Sequence, residues 1–362
     1  MDGKNMMRVA YVSLFSDMVG GGEHSLMELV GHLPDSINGE LIIPADGELG
    51  LLARREGVPV HYLPMPKLGM ASIQALWQWR KWIRQHGYDV VHANQSRAAF
   101  YAGVAALGLK TKMVFHCRIA ARDGMMDTIL QWLSDAIICN SHAVAGRFTQ
   151  FSGILKVIYN GVTQKRVVEE TAPNLPGGAK LLLFVGRLSF EKQPQLALQL
   201  FEKLAGKHTN LHFAMIGGDD PQDAKFSQSV REMAASSHFA ERIHLPGAVN
   251  SVVGWYQRAF ALVLTSRHEG FGRVLVEAMA EGVVPIAFSV GGVPEVIEHG
   301  EHGFLVHPDG LESMCDHVDE LLGNEPLRDR LVKQGKLRAG LFSIENHVTS
   351  VERLYQEILR HA

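Results

Sequence analysis

Short apolar runs alternate with longer stretches of helical period along nearly the whole chain. That alternation limits the fold more than any other feature. RVAYVSL (8–14) reads as a strand, a glycine loop follows, and EHSLMELVGHL (23–33) reads as a helix. GELIIPA (39–45), VPVHYLP (58–64), YDVVHAN (88–94), TKMVFHC (111–117), DAIICNS (135–141) and LKVIYNG (155–161) then read as strands, most of them separated by helical segments. Strands joined by helices run parallel, and a parallel sheet is covered on both faces. Near-continuous apolar runs, rather than apolar–polar alternation, suit such doubly covered strands.

After Gly161 the pattern breaks. VTQKRVVEETAPNLPGGAK (162–180) is polar and rich in Pro and Gly, the composition of a linker. Alternation then resumes with LLLFVGRL (181–188), LHFAMIGG (211–218), RIHLPGAV (242–249), AFALVLTS (259–266), VVPIAFS (283–289) and GFLVHP (303–308). The expected class is α/β, with two Rossmann-like domains facing each other across a cleft. Their expected extents are 1–165 and 166–343, with a helical segment over 344–362. Ligands of such sheets bind beyond the carboxyl ends of the strands, so motifs placed there carry most weight.

The 362 residues are 46% hydrophobic and 20% charged, ample for a core. A net charge of −3 leaves no chain-wide basic footprint, so nucleic acid is not an expected partner. Three cysteines, Cys117, Cys139 and Cys315, are an odd number without metal-type spacing, which fits buried thiols in a reducing compartment. No apolar stretch follows basic residues at the start, so no secretory signal is expected. The longest apolar run, AAFYAGVAALGL (98–109), falls short of the ~20 residues that span a bilayer. The expected location is cytoplasmic, soluble or at the inner face of the membrane.

Three strand ends carry chemistry. SDMVGGGEHSLMEL (16–29) places Gly20, Gly21 and Gly22 before a helix, where backbone can approach an anion closely. The spacing is neither the dinucleotide fingerprint nor a Walker A loop, so a dehydrogenase is disfavoured and a plain tight turn stays open. LLLFVGRLSFEKQPQLAL (181–198) puts Arg187 just past a strand and Lys192 five residues on, a pair able to clamp a diphosphate; the alternative is a solvated loop. SRHEGFGRVLVEAMAEG (266–282) sets Glu269 and Glu277 on either side of a glycine turn that opens a helix. The helix start favours an anion, and the two acids can accept hydrogen bonds from hydroxyls on its flanks. A nucleotide sugar has that form. Alone, Glu269 would be an ordinary helix-start acid, and Glu277 part of a solvated face.

The last stretch resembles the retaining GT-B glycosyltransferases of family 4, whose signature is Glu-x7-Glu. GGGEHSLMELV (20–30), YDVVHAN, VIYNGV (157–162), FVGRLSFEKQ (184–193) and GGVPEVIEHGEHGFLV (291–306) resemble further segments of that family, in its order and over most of the chain. The resemblance implies a C-terminal domain that binds a nucleotide diphosphate sugar, UDP-sugar first among candidates, and an acceptor, sugar or lipid-linked, on the N-terminal side. Arg187 and Lys192 match the diphosphate-binding pair, and Glu269 the residue that bonds the donor sugar. Gly270, Phe271 and Gly272 match the loop lining that sugar, Val274 and Leu275 the amides near the phosphates, and Glu277 the residue holding the ribose. Gly21 and Gly22 belong to the first glycine loop. His116, ending an N-domain strand, matches the histidine that reaches the donor sugar, although Cys117-Arg118 replace the acid that usually follows. His92 and His24 are weaker candidates.

The resemblance further implies front-face transfer with retention, no metal and no cofactor. Asp219-Asp220 in IGGDDPQD (216–223) reads as a turn rather than a metal-binding Asp-x-Asp. LPGAVN (245–250) is the expected base-contacting loop, and the family's final helix often crosses back onto the N-terminal domain. A nucleotide-sugar epimerase and a non-catalytic nucleotide-sugar-binding protein of the same fold are the competing readings. In ALWQWRKWIRQHG (75–87), Leu76, Trp79 and Ile83 share a core face, while Trp77 stands with Arg80, Lys81 and Arg84 as an interfacial helix would present them to anionic lipid. A plain surface helix is the alternative.

Overall fold

The computed structural model describes residues 6–163 and 175–360. It divides into two compact units. The N-terminal unit is Met1–Thr163 with Phe342–Ala362, and the C-terminal unit is Gln164–Leu341. Most of the expected linker, 164–174, lies outside the described residues.

The N-terminal unit is built on a seven-stranded sheet: β1 (Met7–Val12), β2 (Ile37–Ile43), β3 (Val60–Tyr62), β4 (Val90–Ala93), β5 (Lys112–Cys117), β6 (Ala136–Cys139) and β7 (Ile154–Val157). Their order is β3-β2-β1-β4-β5-β6-β7, with every neighbouring pair parallel. Strand parity divides the core between the two faces. Ala10, Val12, Val91 and Phe115 point into one cluster, with Trp79 and Ile83 of helix Ala71–His86 and Ala98 and Ala102 of helix Ser96–Ala106. Val9, Tyr11, Val90 and Val114 point the other way, toward Leu26 and Leu29 of helix Gly21–Gly31. The chain's last helix, Ile344–Arg360, completes that second face with Val348, Val351, Leu354, Tyr355 and Ile358. Gly161 permits this closure, because a Cβ there would lie 2.7 Å from Ile344 Cα.

The C-terminal unit has six parallel strands: β8 (Lys180–Val185), β9 (Leu211–Ile216), β10 (Ile243–Gly247), β11 (Ala259–Leu264), β12 (Val284–Phe288) and β13 (Phe304–Val306). Their order is β10-β9-β8-β11-β12-β13. In each sheet the chain winds outward from the first strand, then returns to its other side. The order therefore reverses between β1 and β4 and between β8 and β11. The carboxyl edge at such a reversal is the usual ligand position in doubly wound sheets.

Candidate functional site

The C-terminal unit gathers its candidate residues at the β8/β11 reversal. Arg187 and Lys192 sit on the loop after β8, ahead of helix Pro194–Ala205. Glu269 sits on the loop after β11, ahead of helix Arg273–Ala280. The two loops are joined: Thr265 Oγ1 donates to the carbonyls of Lys192 (3.2 Å) and Gln193 (2.8 Å), and Arg267 N–H to that of Glu191 (2.8 Å). Lys192 Nζ donates to Glu269 Oε1, which also accepts from Ser266 Oγ at 2.8 Å. Glu269 is buried and Lys192 is half-buried. Arg187 lies 3.6 Å from Asp220, so the acidic turn after β9 faces the loop after β8.

The Glu269 carbonyl is fixed from behind by the turn after β12. Gly292 N–H donates to it at 3.0 Å, and a Cβ on Gly291 (φ +52°) would lie 1.9 Å from that oxygen. Gly272, at φ +85°, turns the loop into the helix. Phe271 is buried beneath it. The Leu275 side chain is buried too, and its N–H donates to Gly272 O at 2.9 Å. Without a ligand, the Leu275 amide thus bonds within the helix's first turn. Val274 is half-buried on the same turn.

Glu277 is not on a solvated face. One oxygen accepts from Arg273 Nε at 2.7 Å and the other from Tyr256 Oη at 3.1 Å. Tyr256 is buried on helix Val253–Arg258; burial first, then the neighbouring Glu277 charge, push its hydroxyl pKa well above the usual range. The phenol therefore stays a donor. Sequence reading missed Tyr256, Arg273, Ser266 and Gly291. Arg273 was visible as the residue four before Glu277 and Ser266 as the one three before Glu269, whereas Tyr256, on helix Val253–Arg258, and Gly291, on the turn after β12, come from elsewhere in the chain and carry no local signal. The LPGAVN segment ends β10, where Gly247 O accepts from Gly217 N at 2.9 Å.

The N-terminal unit has its own polar cluster at the β1/β4 reversal. Gly21 and Gly22 open helix Gly21–Gly31, and a Cβ on either would meet nothing within 4 Å. The space beside this backbone is open. Glu23 is buried; one oxygen accepts from Gly20 N (3.0 Å) and the other from Gln95 Nε2 (2.9 Å). Gln95 in turn accepts from Leu14 N at 2.8 Å, so the loops after β1 and β4 are stitched together. Burial holds the Glu23 pKa above the usual carboxylate range, with nearby donors and Arg118 offsetting only part of the rise. His24 is exposed on the same helix.

His116 is not presented at the strand end. As the penultimate residue of β5 it shares the parity of Val114, which turns it under helix Ile344–Arg360 with no exposed surface. Arg118 Nη2 donates to His116 Nδ1 at 3.1 Å. His116 Nδ1 is therefore an acceptor, its proton is on Nε2, and His92 Nε2 must donate to it (3.0 Å). His92 Nδ1 then accepts from Tyr355 Oη at 2.5 Å. Burial, then the Arg118 charge, hold both imidazoles well below the ordinary histidine pKa, hence neutral. The half-exposed residue at the end of β5 is Arg118, which also donates to Asn94 Oδ1.

In helix Ala71–His86, Trp77, Lys81 and Arg84 are exposed. Arg80 departs from the expected patch: its Nη1 donates to the carbonyls of Ala105 (3.1 Å) and Leu107 (2.8 Å), closing the end of the neighbouring helix. Among the described residues no group of three His, Cys, Asp or Glu is placed to hold a metal ion. No described helix is long and apolar enough to cross a membrane.

Two family models divide the chain between them. Glycosyltransferase Family 4 matches residues 19–166, and Glycosyl transferases group 1 matches residues 168–338. An uncharacterized glycosyltransferase of Methanocaldococcus jannaschii is 30% identical over 292 residues, 76% of this chain and 77% of that one. The chain belongs to glycosyltransferase family 4.

This glycosyltransferase also resembles the N-acetyl-alpha-D-glucosaminyl L-malate synthase of Bacillus anthracis, at 29% identity over 182 residues, 50% of this chain and 46% of that one. Among solved structures, Anabaena HepE in complex with UDP and glucose superposes with a TM-score of 0.83 at 19% identity, covering 97% of this chain and 99% of that one. The sucrose-phosphate synthase of Thermosynechococcus elongatus gives 0.80 at 18% identity, covering 98% and 100%. These likenesses identify the fold as GT-B, two Rossmann-like α/β domains with parallel sheets.

Proposed function

We propose that this glycosyltransferase moves a sugar, with retention of anomeric configuration, from a nucleotide diphosphate sugar to a glycan or lipid-linked glycan. Its work would lie at the cytoplasmic side of cell-surface polysaccharide or glycolipid synthesis. The observation that carries the reading is the Lys192–Glu269 pair at the β8/β11 reversal, with Arg187 on the loop of Lys192 and Glu277 on the helix that follows Glu269. Lys192 is paired with Glu269, while Glu277 is oriented by Tyr256 and Arg273. A UDP-sugar is the first candidate donor, since the Anabaena structure holds UDP and glucose.

On this reading the Lys192–Glu269 pair is a resting state that donor entry divides. Lys192 and Arg187 turn to the diphosphate, and Glu269 accepts from a sugar hydroxyl. Glu277 accepts from the ribose hydroxyls. Negative charge grows on the diphosphate as the glycosidic bond breaks, and fixed cations stabilise it most at that moment. The acceptor hydroxyl enters on the leaving-group side, and a phosphate oxygen takes its proton. No protein nucleophile and no metal are required. Gly21 and Gly22 offer open backbone to an anionic group.

A thermal-shift screen of UDP-, GDP- and ADP-sugars selects the donor, and transfer and hydrolysis are then measured with it. Lys192→Ala, Arg187→Ala and Glu277→Ala should each lower transfer at least ~10-fold, or ~1.4 kcal/mol, with chelator leaving the rate nearly unchanged. Near-normal kinetics in Lys192→Ala and Glu277→Ala would contradict the assignment. Donor binding without turnover would favour a binding protein, and epimerised donor an epimerase.

A further inference from the structure

One face of helix Ala71–His86 and the loop before it remains unpartnered. Met70 is 92% exposed, Ile73 75%, Trp77 65% and Leu68 52%. At 100° per residue, Met70, Ile73, Gln74, Trp77, Lys81 and Arg84 fall on one side of the helix. Ala75, Trp79 and Ile83 are buried on the opposite side. The exposed face is therefore apolar in its first half and basic in its second. Lys81 Nζ stands over the Trp77 ring at 5.4 Å, which joins the halves. Lys67 is exposed ahead of the helix, and no Asp or Glu occurs from Gly57 to Tyr88.

We propose that this face docks the N-terminal unit on an anionic lipid bilayer. Leu68, Met70, Ile73 and Trp77 enter the boundary between headgroups and acyl chains, and Lys67, Lys81 and Arg84 meet the lipid phosphates. Three properties favour a bilayer over a protein. The apolar side chains stand out from a convex helix instead of lining a groove, which suits a fluid phase that closes around them. Every fully charged group on the face is positive, matching an anionic surface. A second copy seated face to face would oppose those cations to their like. The inference is independent of the sugar-transfer reading, because it uses none of the residues at either sheet reversal.

The test is flotation of the full chain with phosphatidylglycerol vesicles and, separately, phosphatidylcholine vesicles. The chain should float with phosphatidylglycerol and stay behind with phosphatidylcholine. Ile73→Ser/Trp77→Ser and, separately, Lys81→Glu/Arg84→Glu should each cut recovery about tenfold or more. All four side chains are exposed, so folding should persist; circular dichroism checks it, and the two variants stand independently. Equal recovery of wild type and both variants would overturn the proposal, as would equal binding to both lipids. So would light scattering that shows a dimer lost in the Ile73→Ser/Trp77→Ser variant.

Discussion

Glu277 is held by Arg273 and Tyr256, so its orientation rests on two donors before any ligand arrives. Tyr256→Phe removes one hydrogen bond to a charged group, a loss of ~1.5–3 kcal/mol in orientation. If Glu277 binds the donor's ribose, the variant should raise the donor KM about tenfold and leave kcat nearly unchanged, the mark of lost uniform binding. A fall in kcat at constant KM would place Glu277 elsewhere. The imidazoles of His92 and His116 should stay neutral, with the His116 proton on Nε2. Histidine NMR from about pH 8 to pH 6 should show two rings that do not titrate. For a histidine with lowered folded pKa, the unfolded chain binds more protons as pH falls below ~6.5, so stability is present above that value and is lost below it. Ordinary titration of both rings would contradict the buried network. The positions of Lys192 after β8 and of Glu269 and Glu277 around the helix start after β11 were readable, because each strand end and the helix that follows it lie in continuous sequence. The fate of His116 was not: a one-residue difference in where β5 ends decides between the strand end and the covered face.

The glycine loops make opposite demands. At Gly291 a side chain has no room, because φ is positive and the Glu269 carbonyl stands where a Cβ would go. Gly291→Ala should lower the melting temperature of the C-terminal unit, reflecting a cost of ~1–3 kcal/mol, and should cut transfer by displacing Glu269. At Gly22 a Cβ meets nothing, and alanine favours a helix over glycine by ~0.5–1 kcal/mol. Gly22→Ala should therefore melt no lower than wild type and yet lose transfer, if ligand approaches this backbone. Full activity in Gly22→Ala would remove the first glycine loop from the site. Both glycine motifs stood out in the sequence. Which glycine is crowded by protein and which faces open space depends on loops from other strands, so local pattern carried no sign of it.

The chain finishes in the unit where it began. The apolar stripe of Ile344–Arg360 marked it as a helix, but a stripe of that period fits either sheet. The partner is decided by Gly161 and by the pairing of Val162 N–H with Phe342 O at 2.9 Å. Ending the chain after Leu341 would remove Val348, Val351, Leu354, Tyr355 and Ile358 and uncover the side chains they pack on, among them Val9, Tyr11, Val90 and Val114. Each fully buried side chain of this kind contributes ~1.5–3 kcal/mol, so the N-terminal unit should lose its cooperative transition in calorimetry. The C-terminal transition should persist, since its sheet and core lie within 175–341. Loss of both transitions would show that the units do not fold separately. The role of the β8/β11 reversal is decided by a crystal structure with the screened donor bound. The diphosphate should lie against Lys192 and Arg187, with Glu269 turned to the sugar and Glu277 to the ribose. A diphosphate seated away from both cations, with the Lys192–Glu269 pair still closed, would contradict it.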